Sequence, residues 1–93
     1  MTAPPEPNIT DAELAAAIRA HLCGAFPDRA AEIEAIDPSA SLFDLGLLDS
    51  LAFLSLVELV EQQAGIVVPP DDFTPTRLGT IAALVDYAQS ARR

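Results

Sequence analysis

Apolar residues return at helical spacing soon after the start of the chain. Leu14, Ala17, Ile18, Leu22 and Ala25 share one face at about 100° per residue. Just ahead of them, Thr10-Asp11-Ala12-Glu13 has the form of a capping box, with Thr10 as N-cap and Glu13 reaching back to it. The pattern predicts an amphipathic first helix that ends between Gly24 and Pro27. His21 lies close to the apolar stripe and has no polar partner in the pattern, which reads as a packed or boundary histidine. Cys23 falls on the other side, among alanines and Arg19, where nothing activates a thiolate.

The connection that follows, residues 27–49, is long, and a long connection in a small domain usually carries function or a short element. Ala30 to Ile36 is expected to form a brief helical extension stopped by Pro38. Leu42, Phe43, Leu45, Leu47 and Leu48 are too apolar for a free loop and should pin it to the bundle, with Gly46 permitting a tight turn. A central helix is then expected from Asp49 or Ser50 to Ala64, closed by Gly65. Ile66 and Val68 should pack back onto the core. Thr74 and Pro75 suit the start of a short helical turn, and Thr80 caps a last helix whose buried stripe is Ile81, Leu84, Val85 and Ala88. Arg92 and Arg93 suit its negative end. The "IVV" run at 66–68 is too short and too hemmed by prolines to pair as a strand. The expected fold is all-α, a small bundle of three main helices plus one short helix, over residues 9–91. Residues 1–8, with three prolines, are expected to be a disordered arm.

Between residues 51 and 60 the central helix has seven large apolar residues, more than one buried stripe needs. Phe53, Leu56, Val57 and Val60 cluster within roughly 100° of arc and form the core face. Opposite them lie Ser55, Glu58 and Gln62, with Leu51 in their midst. Leu54 projects between Glu58 and Glu61, and Leu59 lies on the far flank beside Ala52. Apolar side chains framed by acids predict a docking face, unless the preceding loop or the short helix covers them.

Charge narrows the partners. Fourteen acids against five arginines and no lysine give a formal charge of −9, which disfavours nucleic acid and anionic membranes and favours partners with basic patches. One cysteine excludes an internal disulfide, and one His beside one Cys does not make a metal site. No run approaches the roughly 20 apolar residues of a membrane span, and the first residues lack the pattern of a signal peptide. A cytoplasmic monomer is expected.

Ser50 is the candidate for chemistry. As a nucleophile it lacks a base, an orienting acid and the Gly-x-Ser-x-Gly elbow, and no glycine-rich phosphate loop is present. No self-contained active site is therefore expected. A serine at a helix N-terminus suits an attached phosphate, whose charge the free N–H groups and the dipole favour. A plain cap is the simpler reading of Asp-Ser before a helix.

The stretch "LFDLGLLDSL", residues 42–51, resembles the attachment motif of acyl carrier proteins and peptidyl carrier domains. The resemblance extends from about residue 9 through "GIVVPPDDFTP" and "LGTIAALVDY". It implies that Ser50 receives 4′-phosphopantetheine from coenzyme A through a phosphopantetheinyl transferase, with Asp49 as the preceding acid and Leu51 beside the arm. It places Leu51, Leu54, Glu58, Leu59 and Glu61 on the helix that partners recognise. The implied partners are that transferase, a cargo-loading ligase or acyltransferase, and a downstream synthase or condensing enzyme. Carriers of primary fatty-acid synthesis follow Asp-Ser-Leu with more acids than "AFLSLVE" provides. "GLLDSL" and "VPPDDF" are more similar to free-standing D-alanyl carriers and to discrete carriers of polyketide or nonribosomal peptide pathways. The competing expectation is an unmodified acidic helical adaptor.

Overall fold

A computed structural model of the chain describes residues 9–91. The arm expected over residues 1–8, and Arg92 and Arg93 at the helix end, lie outside the described residues. Among the described residues five α-helices run in the order α1 Asp11–Ala25, α2 Ala30–Glu34, α3 Ser50–Ala64, α4 Pro75–Leu78 and α5 Ile81–Ala91. No strand occurs among the described residues. The all-α bundle expected from the pattern is the observed fold. α1, α3 and α5 pack on one another, α2 lies against α1, and α4 lies against α5.

Local capping starts α1, α4 and α5 where the pattern predicts. At α1 the capping box forms in both directions: Glu13 N–H donates to Thr10 Oγ1 at 3.1 Å, and Thr10 N–H donates to Glu13 Oε1 at 3.0 Å. These bonds hold the Glu13 carboxyl below its ordinary pKa, the Thr10 backbone N–H being the larger cause. Thr74 and Thr80 cap α4 and α5 through Arg77 N–H and Ala83 N–H. α3 ends at Gly65, as expected.

The core is wholly apolar among the described residues. Leu14, Ile18 and Leu22 of α1 meet Phe53, Leu56, Val57 and Val60 of α3 and Ile81, Leu84 and Ala88 of α5. Ala25 is exposed and Ala17 and Val85 half-buried, so the first-helix stripe is narrower than its periodicity predicts. Two 3-10 turns, Pro27–Arg29 and Pro70–Asp72, precede α2 and α4 where only loop was expected. α2 stops at Glu34, two residues short of the expected Ile36. Its end is met from α1: Arg19 donates to the carbonyls of Ile33, at 2.7 Å, and Glu34, at 3.4 Å, and to that of Ile36, at 2.9 Å, just beyond the helix. Arg19, placed by its position on α1 among small residues, thus closes the end of α2.

No described helix is long and apolar enough to cross a membrane.

Candidate functional site

The loop into α3 is built from its buried leucines. Leu42, Leu47 and Leu48 enter the core while Phe43 and Leu45 pack against it, so the chain must reverse between them. Leu47 N–H donates to the Leu42 carbonyl at 3.0 Å and Gly46 N–H to that of Phe43 at 3.0 Å. Gly46 has φ +72°, a conformation that L side chains rarely adopt. Two further contacts tie the loop to distant parts of the chain. Leu42 N–H donates to the Gly79 carbonyl at 2.9 Å. The Phe43 ring meets Phe53 edge-on at 5.3 Å, and Phe53 in turn meets Phe73 at 6.1 Å.

This arrangement decides how Asp49 and Ser50 divide their work. Asp49 is extended, and its Oδ1 accepts the Ala52 N–H at 2.8 Å, which makes it the N-cap of α3. Ser50 is the first helical residue and is exposed. Among the described residues, its hydroxyl makes no hydrogen bond to the protein. The cap function that the sequence left open between the two residues belongs to Asp49, and the Ser50 hydroxyl is free. The N–H groups of Ser50 and Leu51 precede the first intrahelical bond, so they face the same end of the helix.

Around this point α3 presents a mixed face. Leu51 is 79 % exposed and Leu54 44 % exposed, so neither the preceding loop nor α4 covers them. Glu58 is exposed one further turn along. Glu61 is half-buried, and its Oε2 accepts the Val68 N–H at 2.8 Å, pinning the connection after α3. Leu59 is half-buried against the core. It lines a shallow groove of about 310 Å³ with His21, Ser55, Glu58 and Gln62. His21 thus has polar company across the α1–α3 groove. The sequence pattern, read along one helix, showed none. The larger groove, about 560 Å³ between α1 and α5, is lined by Asp11, Ala15, Pro38, Val85 and Asp86 among others and contains none of the α3 residues.

None of these groups activates Ser50. No hydrogen bond joins it to His21 or to a carboxylate, and no metal-ligating cluster occurs among the described residues. The Cys23 thiol is pushed above its ordinary pKa, first by burial and then by the neighbouring Glu34 carboxylate, whose Oε1 is 3.7 Å from Sγ. What the arrangement offers is a free hydroxyl, at the positive end of a fifteen-residue helix, on an open surface.

No curated protein and no solved structure matches the chain. A protein-family model described as "phosphopantetheine attachment site" matches residues 16–88, from α1 through α5. On that match the chain belongs to the phosphopantetheine-binding carrier family, whose domain is the attachment site of the 4′-phosphopantetheine prosthetic group.

Proposed function

We propose that Ser50 is the residue that receives the arm, and that the domain over residues 9–91 is a discrete acyl or aminoacyl carrier without catalysis of its own. The observation that carries this reading is the division of labour at the start of α3: Asp49 caps the helix and leaves the neighbouring hydroxyl exposed and unbonded. A phosphodiester on Ser50 fits the site. It needs an accessible oxygen and a place for one negative charge, and the first-turn N–H groups and helix dipole favour that charge by about 0.3–1 kcal/mol. No acid other than the cap occupies the first turn of α3 to oppose it.

In the loading step the Ser50 Oγ attacks the pantetheine-bearing phosphorus of coenzyme A. The Oγ–P bond forms, the phosphoanhydride P–O bond breaks, and 3′,5′-ADP leaves with the electron pair. The serine proton passes to a base supplied by the transferase, since among the described residues no group is hydrogen-bonded to the Ser50 hydroxyl. Once attached, the arm supplies the terminal thiol that holds cargo as a thioester. This chain's own part is presentation. α3 holds the attachment point at its capped N-terminus, while Leu51, Leu54 and Glu58 offer an apolar and acidic face beside it, with Leu59 and Glu61 at its margins. The overall charge of −9 steers partners with basic patches towards the chain. The resemblance of "GLLDSL" and "VPPDDF" to D-alanyl and secondary-metabolism carriers supports an amino acid or a small hydroxy or malonyl-type unit as cargo.

Intact-mass measurement after incubation with coenzyme A and a broad-specificity phosphopantetheinyl transferase tests the assignment. Wild type is expected to gain one phosphopantetheinyl group and Ser50→Ala none. No gain by wild type would leave the unmodified adaptor, and an equal gain by Ser50→Ala would move the attachment elsewhere.

A further inference from the structure

The loop into Ser50 is buried at its flanks but not at its apex. Leu42, Leu47 and Leu48 are buried, whereas Leu45 is half-buried and Gly46 exposed. One side chain reaches this apex from elsewhere. Arg29, at the end of the 3-10 turn before α2, crosses sixteen residues of sequence, and its Nη2 donates to the Leu45 carbonyl at 2.7 Å. No backbone N–H of the described loop donates to that carbonyl, so Arg29 supplies its partner. The guanidinium is itself held in place. Its Nη2 also donates to Glu32 Oε2, its Nε donates to Glu32 Oε1 at 3.1 Å, and its centre lies 6.0 Å from the Phe26 ring centroid. It rests directly against the turn: a Cβ on Gly46 would stand 3.7 Å from Nη1.

We propose that Arg29 is a positioning residue for transfer of the arm to Ser50, holding the Leu45–Gly46 apex so that Leu47, Leu48 and Asp49 keep one geometry at the start of α3. The proposal rests on the reading of Ser50 as the attachment residue. The two flanks of the loop are anchored by burial and by the Leu42–Gly79 bond, and short backbone bonds close the turn, but the Leu45 carbonyl at the apex is held from another element by Arg29. Releasing the apex multiplies the conformations of the segment that ends at Asp49. Only a fraction of these present the Ser50 hydroxyl correctly, and a transferase binds with an affinity reduced by that fraction. Arg29 touches no reacting atom, so the effect belongs on KM and not on kcat.

The test uses the full chain and Arg29→Met, which keeps the apolar stem and removes every donor. Amide hydrogen exchange is read at Gly46 and Leu47, whose N–H groups close the turn, with Leu56 and Leu84 as core references. Exchange at the two loop amides is expected to rise about fivefold while the core moves by less than about twofold. The KM for phosphopantetheinyl transfer to the apo protein is expected to rise by the factor by which the held turn loses population, about twofold where half the molecules lose it, with kcat nearly unchanged. Arg29→Lys should restore both only in part, because a single ammonium on a shorter stem cannot hold Glu32 bidentately and reach the Leu45 carbonyl together. Should Arg29→Met fail to fold, Glu32→Ala, which frees the guanidinium from its carboxylate, should raise exchange at the same amides by about twofold. Unchanged loop exchange in the folded variant, an equal rise in the core, or an unchanged KM overturns the role of Arg29. Failure of the Ser50 reading has a different signature, since wild type itself then gains no arm.

Discussion

Glycine-to-alanine changes at Gly79 and Gly24 should move stability in opposite directions. Gly79 joins α4 to α5 with φ −84°, which any L residue adopts, so backbone strain predicts nothing there. In an unhindered site the change would stabilise by about 0.4–1 kcal/mol through the unfolded chain. Space reverses the sign. A Cβ at Gly79 would collide with the Pro75 carbonyl oxygen and stand 3.3 Å from the Pro75 carbonyl carbon and 3.5 Å from Cδ2 of Phe43. The obstacle is backbone, so α4 itself must shift, and overpacking of this kind costs about 1–3 kcal/mol. The net expectation is a loss of about 1–2 kcal/mol, or a fall in Tm of roughly 5–15 °C for a domain of this size. Gly24 is the control: it lies in the last turn of α1 with nothing within 4 Å of a new Cβ, and alanine there should add about 0.5–1 kcal/mol. Paired thermal and urea unfolding, followed by helical circular dichroism, reads both changes. Because Gly79 also accepts the Leu42 N–H and the neighbouring Phe43 meets Phe53 edge-on, Gly79→Ala should also slow modification of Ser50. A Gly79→Ala protein as stable as wild type, or two variants shifting the same way, would refute the steric argument.

Removing the cap by Asp49→Ala should cost about 1 kcal/mol of stability, measured by urea unfolding, and should raise exchange at the Ala52 amide before that of the α3 core. The proposed docking face predicts that Leu51→Asp and Glu58→Lys each slow modification or loading by about tenfold while leaving the unfolding midpoint within about 0.5 kcal/mol of wild type. Unchanged rates for both would place the docking surface elsewhere. Cys23, with its thiol held above the ordinary range by burial and by Glu34, keeps less thiolate than a free cysteine at every pH below its pKa. Alkylation of the apo protein near neutral pH should therefore be slower than that of a cysteine peptide, with a pH midpoint above that of the peptide.

The sequence by itself determined the three long helices and their ends, though not the end of α2 or the two 3-10 turns. Thr10 with Glu13, Thr74, Thr80 and Gly65 act through bonds that close within one turn, so their effect is present wherever the residues occur in that order. The core face of α3 was equally legible, because Phe53, Leu56, Val57 and Val60 follow the helical period, and the all-α class followed with it. The family was legible in "LFDLGLLDSL" and its surroundings, and the family match over residues 16–88 agrees. The tertiary structure decided what periodicity does not encode. It left Leu51 and Leu54 uncovered while drawing Leu59 against the core, and it set His21 across a groove from Ser55, Glu58 and Gln62. It sent Arg19 and Arg29 to carbonyls fourteen to seventeen residues away, and it used Glu61 to hold Val68. It also settled that Asp49 caps α3 and that the Ser50 hydroxyl is left free. Caps and stripes depend on neighbours along the chain, whereas exposure and long side-chain reach depend on which surfaces the folded loops bring together, and that is fixed only when the whole core closes.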